Sequence, residues 1–307
     1  MLRFLTAGES HGPGLTAILE GMPAGLPLKP ADLNVDLARR QKSYGAGGRM
    51  RIEKDQAQLP GGILGGHTTG APVAIHIKNR DWKNWQAKDI DPMTIPRPGH
   101  ADLTAAIKYG YGDLRLALER ASARETAARV AVGAICRRLL AEFGIVIGSY
   151  VLSIGPISTE LRVPEGPCPE DTYLERFNLA EANEVRCPDP SATQRMYNVI
   201  SNTMRAKDTI GGVFEVVCLN APPGLGSHVN WDRRLDGRLM AAVGSIQAIK
   251  GVEIGPAFEN TRLLGTQVHD PIFVDEDKST GQEILTRHTN RPGGLEGGIT
   301  TGQPIVI

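Results

Sequence analysis

The sequence predicts an α+β protein, and three observations carry that reading. Strand-like segments cluster between long helical ones instead of alternating with them, so the order is not the βαβαβ of a doubly wound fold. Glycine and proline are plentiful, 36 and 21 residues, which implies many shaped turns. The two halves share a plan of strand cluster, long helix and strand, without a sequence repeat strong enough to indicate duplication.

The elements follow from local pattern. Leu15 to Gly21 reads as a strand. Lys29 to Lys42 reads as a helix, with Pro30 at its start and Asp32 in its first turn. Val73 to Ile77 alternates as a strand, which places His76 on a sheet face. Asp81 to Pro96 reads as a polar, tryptophan-bearing connection. Pro98 and Gly99 present His100 on a tight loop. A long helix is expected from about Arg115 to Phe143, with Arg120 and Arg124 sharing a face and Ser122 on its flank. Ile145 to Ile154 reads as a strand, and Ser158 to Pro190 as a peripheral excursion. Ser191 to Lys207 is a helix, Gly212 to Leu219 a buried strand, Trp231 to Ile249 a helix and Lys250 to Gly255 a short strand.

Composition narrows the function. Lys and Arg total 34, as do Asp and Glu, so no global field draws in nucleic acid or a membrane. Aromatic residues make up 5%, too few for base-stacking surfaces. No apolar run approaches the ~20 residues of a membrane span, and no signal peptide is visible. Cys136, Cys168, Cys187 and Cys218 form no C-x-x-C pair, so no metal site is expected. Cys136 and Cys218 read as buried small hydrophobes, and the chain as cytoplasmic with reduced thiols.

Three stretches suggest chemistry. Gly8-Glu9-Ser10-His11-Gly12 satisfies G-x-S-x-G, which leaves open a serine hydrolase acting through Ser10; that class requires a strand–elbow–helix context. Arg39 to Asp55 holds six Lys/Arg against Glu53 and Asp55, a basic patch suited to a small polyanion or simply a solvated loop. Around Ser122, Ala121 and Ala123 are too small to shield the backbone, so a flat ring or an anion could approach while guanidiniums grip it.

Read together, GESHG, RRQ-x-x-YG, RPGHADL, ERASARETAAR, GSIQAIKGVEIG and GGLEGGITTG resemble the chorismate synthase family, in that order, from residue 6 to the end. The resemblance implies a single domain over residues 1–307 folded as a β-α-β sandwich, with long central helices between two antiparallel sheets, and assembly as a homotetramer. It implies the last step of the shikimate pathway: an anti-1,4-elimination of phosphate from 5-enolpyruvylshikimate 3-phosphate. Reduced FMN is required without net redox change, with NADPH serving only indirectly as the flavin's reductant. It assigns substrate binding to Arg40, Arg49, Arg97, Ser122 and Arg124. Phosphate protonation falls to His11, with Ser10 and Ser122 as relay or orienting hydroxyls. His100 is placed by the flavin, and flavin contacts fall on Arg120, Ala121, Ser122, Gln247, Ala248 and Gly297.

Two departures accompany the resemblance. Ala46 stands where the family usually has arginine, so that Arg49 or Arg51 would compensate. The family also continues some dozens of residues beyond the equivalent of Ile307, through Lys-Pro and Arg-Ser-Asp motifs that are not present here. An incomplete flavin site is therefore expected, and a non-catalytic flavin- or anion-binding homologue stays open as a second class.

Overall fold

A computed structural model describes residues 2–45, 47, 49–161, 170–276 and 281–307; Ala46, Cys168 and the Arg51 side chain lie outside what is described. The chain divides into two units, Met1–Phe143 and Gly144–Ile307.

In the first unit, β1 (Arg3–Ala7), β2 (Gly14–Glu20), β3 (Ala57–Gly61) and β6 (Val73–Lys78) form an antiparallel sheet in the order β1-β2-β6-β3; the short β4 (Ile63–Leu64) and β5 (His67–Thr68) pair beside it. The β2–β6 register sets Leu15, Ala17 and Leu19 opposite Ile77, Ile75 and Val73. All six are buried, because side chains two apart share a face. The next register position sets Thr16 opposite His76 on the other face, with Thr16 Oγ1 3.3 Å from His76 Nδ1.

The apolar face of this sheet belongs to a core that also contains Leu33 and Leu37 of α1 (Pro30–Gln41) and Ala127, Ala131 and Ile135 of α5 (Thr126–Ala141). Each fully buried leucine contributes about 1.5–3 kcal/mol. Between α1 and α5 lie α2 (Arg49–Ile52), α3 (Asp102–Tyr109) and α4 (Arg115–Ala121).

The long helix expected from Arg115 to Phe143 is broken. α4 ends at Ser122, whose backbone is extended at φ −62° and ψ 142°, and a single 3₁₀ turn over Ala123–Glu125 leads into α5. The Ser122 hydroxyl accepts from the Arg124 amide at 3.2 Å, the local capping bond that competes with helix continuation. Arg120 and Arg124 therefore do not share a helical face.

The second unit centres on the antiparallel sheet β14-β9-β7-β8, built from β7 (Val146–Ile154), β8 (Ile157–Ser158), β9 (Gly212–Leu219) and β14 (Ile305–Val306). The intervening elements include α6 (Glu170–Glu181), α7 (Pro190–Arg205), α8 (Leu235–Gly244), and the hairpins β10 (Phe273–Glu276) with β11 (Glu283–Thr286) and β12 (Leu295–Glu296) with β13 (Ile299–Thr300). Antiparallel sheets with packed helices in both units make this an α+β protein.

Three local expectations are corrected here. Part of the stretch read as peripheral is α6, whose Tyr173 and Ala180 are buried in a core with Tyr150, Val217, Leu219 and Val306. The helix read from Trp231 is interrupted at Arg234, which is extended at ψ 123° and separates a 3₁₀ turn from α8. Lys250 to Gly255 forms no strand; its Gly255 amide instead bonds the Val306 carbonyl at 2.9 Å. Cys136 and Cys218 are half-buried, and burial raises both thiols above their ordinary value, to about 11 at Cys218.

Candidate active site

The β1–β2 connection is the Gly8–Gly12 stretch, and Asn79, at the end of β6, holds it in place. The Asn79 amide nitrogen donates to the carbonyls of Glu9, Ser10 and Gly12 at 3.1, 3.2 and 2.8 Å. At Gly8, where φ is 102°, a Cβ would lie 2.3 Å from the Gly14 carbonyl oxygen, so the turn demands glycine there. Ser10 is 1% exposed. Its hydroxyl accepts from Arg49 Nη1 at 2.9 Å and donates to Ser122 Oγ at 3.1 Å, a line from guanidinium through two hydroxyls.

His11 points into a different set of partners. Its Nδ1 lies 2.8 Å from Glu119 Oε1, and its amide donates to Glu119 Oε2 at 2.7 Å. The Trp85 ring lies 4.4 Å away, tilted by 53°. Trp85 is itself tied down, its Nε1 donating to Asp81 at 2.8 Å. The hydrolase alternative fails on this geometry: the Ser10 hydroxyl bonds Arg49 and Ser122, the neighbouring imidazole bonds Glu119, and the turn joins two strands.

Behind the turn, arginines and carboxylates interlock. Arg124, 4% exposed, donates to both Asp55 oxygens at 2.7 and 2.8 Å and to Asn79 Oδ1 at 2.9 Å, with Glu53 3.7 Å from its Nη2. Arg40 bonds Thr126 Oγ1 at 3.0 Å, the Ala123 carbonyl at 3.0 Å and Asp55 at 3.4 Å. Arg49 adds Glu53 at 3.3 Å and Asp81 at 3.7 Å. Burial lowers the Arg40 pKa, opposed by Asp55. Hydrogen bonds from Asn84 and then Trp85 hold Asp81 below the usual carboxylate range. Within the patch read from Arg39 to Asp55, Arg39, Arg40 and Arg49 are matched by Asp36, Asp55 and Glu53, while Lys42 and Lys54 are exposed.

Arg97 and His100 form a separate cluster on Asp102, which is fully buried. Arg97 Nε and Nη2 bond the two Asp102 oxygens at 2.8 and 3.0 Å, and His100 Nδ1 lies 2.9 Å from Asp102 Oδ1. The Arg97 hydrogen bonds hold Asp102 well below the usual carboxylate range. Among the described residues, no hydrogen bond or ion pair joins this cluster to the Ser10–Ser122 pair.

The expected flavin-contact residues fall in both units. In the first, Arg120 reaches from α4 to the Gly8 carbonyl at 2.7 Å, beside Ala121 and Ser122. In the second, Ala248 has φ 68°, unusual for a residue with a Cβ. Gly297 has φ 60°, and a Cβ there would meet only the His228 side chain, at 4.0 Å. Gln247 adjoins Ala248 in the turn after α8.

Glu119, Asn79, Asp81 and Trp85 were not among the residues singled out from sequence, and Glu53 and Asp55 were read there only as carboxylates within a basic patch. Glu119 had a signal, standing beside Arg120 in the ERASARETAAR stretch. The S-x-x-E spacing of Ser122 and Glu125 likewise marks a helix start and could have revealed the break.

Among the described residues, no helix is long and apolar enough to cross a membrane, and no group of three or more His, Cys, Asp or Glu could hold a metal. The sequence profile described as chorismate synthase matches residues 2–307. The chorismate synthase of Aquifex aeolicus (strain VF5) is 54% identical over all of this chain and 78% of its own length. That of Syntrophotalea carbinolica is 52% identical, again over all of this chain and 78% of its own length. A crystal structure of a chorismate synthase, 50% identical, superposes with a TM-score of 0.85 over 99% of this chain and 82% of the other. The chain belongs to the chorismate synthase family.

Proposed function

We propose that this enzyme is a carbon–oxygen lyase that converts 5-enolpyruvylshikimate 3-phosphate to chorismate, on the route to the aromatic amino acids. The observation that carries the reading is the hydrogen-bonded line Arg49–Ser10–Ser122 with His11 next to it in the same turn. A substrate bearing carboxylates and a phosphate needs guanidinium and hydroxyl donors, and its departing phosphate needs a proton. The elimination breaks a carbon–oxygen bond, whose electron pair stays on the phosphate oxygen, and a carbon–hydrogen bond, whose electrons enter the new diene while the proton leaves to a base. His11 supplies a proton to that oxygen from its ring, while Ser10 and Ser122 orient or relay.

Arg49 and Arg97, 25% and 44% exposed at their side chains, are the guanidiniums open to an anion. Arg40 and Arg124 complete the substrate-binding set from a more buried position, fixing Asp55 and the backbone beside Ser122. Asp102 orients the His100 ring, its Oδ1 lying 2.9 Å from Nδ1.

Each unit holds residues suited to FMN. Arg120 presents a guanidinium to an anionic group. Ala248 and Gly297 combine small size with left-handed backbone, which leaves the main chain open to a flat ring; a non-glycine residue in that conformation costs about 1–3 kcal/mol and recurs at ligand clamps. Gln247 adds a side-chain amide there. When bound, reduced FMN supplies electron density to the substrate as the bond breaks and is recovered, so NADPH serves only to reduce it. The same reading makes residues 1–307 one catalytic domain of a cytoplasmic homotetramer, with the small-molecule substrate as its partner and neither nucleic acid nor membrane.

Anaerobic incubation of the purified protein with 5-enolpyruvylshikimate 3-phosphate and reduced FMN is expected to release inorganic phosphate and form chorismate. Binding of both compounds without phosphate release would overturn the reading.

A further inference from the structure

Glu119 makes three hydrogen bonds to one dipeptide. Its backbone carbonyl accepts from the Ser10 amide at 3.1 Å. Its carboxylate then divides between the two donors of the next residue, Oε2 taking the His11 amide at 2.7 Å and Oε1 meeting Nδ1 at 2.8 Å. Because both oxygens of one carboxylate hold the backbone and the ring of the same residue, the ring is fixed relative to its own main chain. Trp85 packs against the imidazole at 4.4 Å, and Asp81 in turn anchors Trp85. A carboxylate accepts and does not donate, so it selects the tautomer with hydrogen on Nδ1 and leaves Nε2 for chemistry.

We propose that Glu119 is the positioning residue for His11: it keeps a hydrogen on Nδ1, so that the imidazolium gives its Nε2 proton to the departing phosphate and is left as the neutral Nδ1–H tautomer. The inference rests on the reading of His11 as the proton donor. A merely structural Glu119, tying α4 to the turn, would predict a loss of stability and no specific effect on the ring or on kcat.

The test uses Glu119→Gln, His11→Ala and the double variant, with kcat and KM for phosphate release and ¹⁵N NMR of the histidine rings. In the unaltered protein, the neutral His11 ring is expected as the Nδ1–H tautomer. Glu119→Gln is expected to shift the ring toward a mixture of tautomers and to lower kcat by about 10–100-fold, the usual cost of losing an orienting partner, with KM within about twofold. The double variant should be no slower than His11→Ala, since the two act as one unit.

An Nε2–H tautomer in the unaltered protein overturns the proposal, and that measurement requires no variant to fold. So does a Glu119→Gln kcat within about threefold of the unaltered value, or a further full-sized loss in the double variant. If His11→Ala keeps its rate, the proton-donor assignment fails as well; if His11→Ala is slow and Glu119→Gln is not, only the positioning role fails.

Discussion

Each unit buries a carboxyl group beside an arginine, and the two arrangements behave differently. In the second unit, Glu215 accepts from the Tyr150 hydroxyl, and Arg176 Nη1 donates to the same hydroxyl at 3.1 Å. Apolar packing by Tyr173, Phe177 and Val217 surrounds the group. Burial pushes Glu215 above the ordinary carboxyl value; burial, and then the Glu215 charge, push Tyr150 up as well. In the first unit, Asp81 and Asp102 are held down by hydrogen-bond donors, so they stay anionic and fix the groups around them. From Asp81, through Arg49, the network continues into Ser10, Ser122 and the Asn79-held turn bearing His11, all residues with reactive or orienting capacity, while among the described residues the Asp102 cluster stands apart from the Ser10–Ser122 pair. A buried arginine–carboxyl contact therefore does not mark a site by itself; connection to a hydroxyl line and an imidazole does.

The largest expected effect separates the two regions by catalysis. His11→Ala should lower kcat for phosphate release by ~10²–10⁴-fold, and His100→Ala should act in the same direction. Tyr150→Phe should leave kcat near the unaltered value in the same assay. A comparable loss at Tyr150 would break the distinction.

Stability should separate them next. Arg124→Met leaves Asp55 buried with only Arg40 as cationic partner, and urea titration is expected to show a loss of about 3–5 kcal/mol. Arg176→Met in the second unit should cost less, about 1–3 kcal/mol, because Glu215 is already displaced toward its neutral form. That loss should shrink as pH falls and Glu215 takes up a proton. Equal losses that do not depend on pH would show that the two networks are electrostatically alike.

The smallest effect is a difference in sign, read from melting temperature against pH. Asp102 has a depressed folded pKa, so its contribution is present above the ordinary carboxyl value near 4 and is lost as pH falls below it. Glu215 has a raised folded pKa, so the folded state binds more protons above that ordinary value. Its contribution is therefore present at low pH and is lost as pH rises through the folded value. Asp102→Asn should flatten the first slope, and Glu215→Gln the second. Slopes of one sign at both positions would contradict the comparison.

Where local pattern dominated, the sequence was informative. β9 runs from Gly212 to Leu219 as its apolar run indicates, and α1 starts at Pro30 as its first-turn residues require. Where two local preferences competed, the reading failed. Helical periodicity through Ser122 outweighed the capping tendency of the serine itself, and the polar surface of α6 hid a face that buries Tyr173. Ser10, His11, Arg49 and Ser122 were legible as a set only through their likeness to a family. No spacing rule relates Ser10 to Ser122, 112 positions apart.

By itself the sequence determined the α+β class, the positions of α1, α7 and the strands β2, β6, β7 and β9, and the family. These follow from patterns a few residues long or from motifs kept in order. Only the tertiary structure decided which charges neutralise which. Arg124 meets Asp55 across 69 positions and His11 meets Glu119 across 108, contacts that exist only once the sheet and helices have packed. Short-range polar contacts depend on tenths of an ångström, which chain order does not encode, so the same arginines could have been a solvated patch. Packing instead made them the fixed frame behind Ser10 and His11.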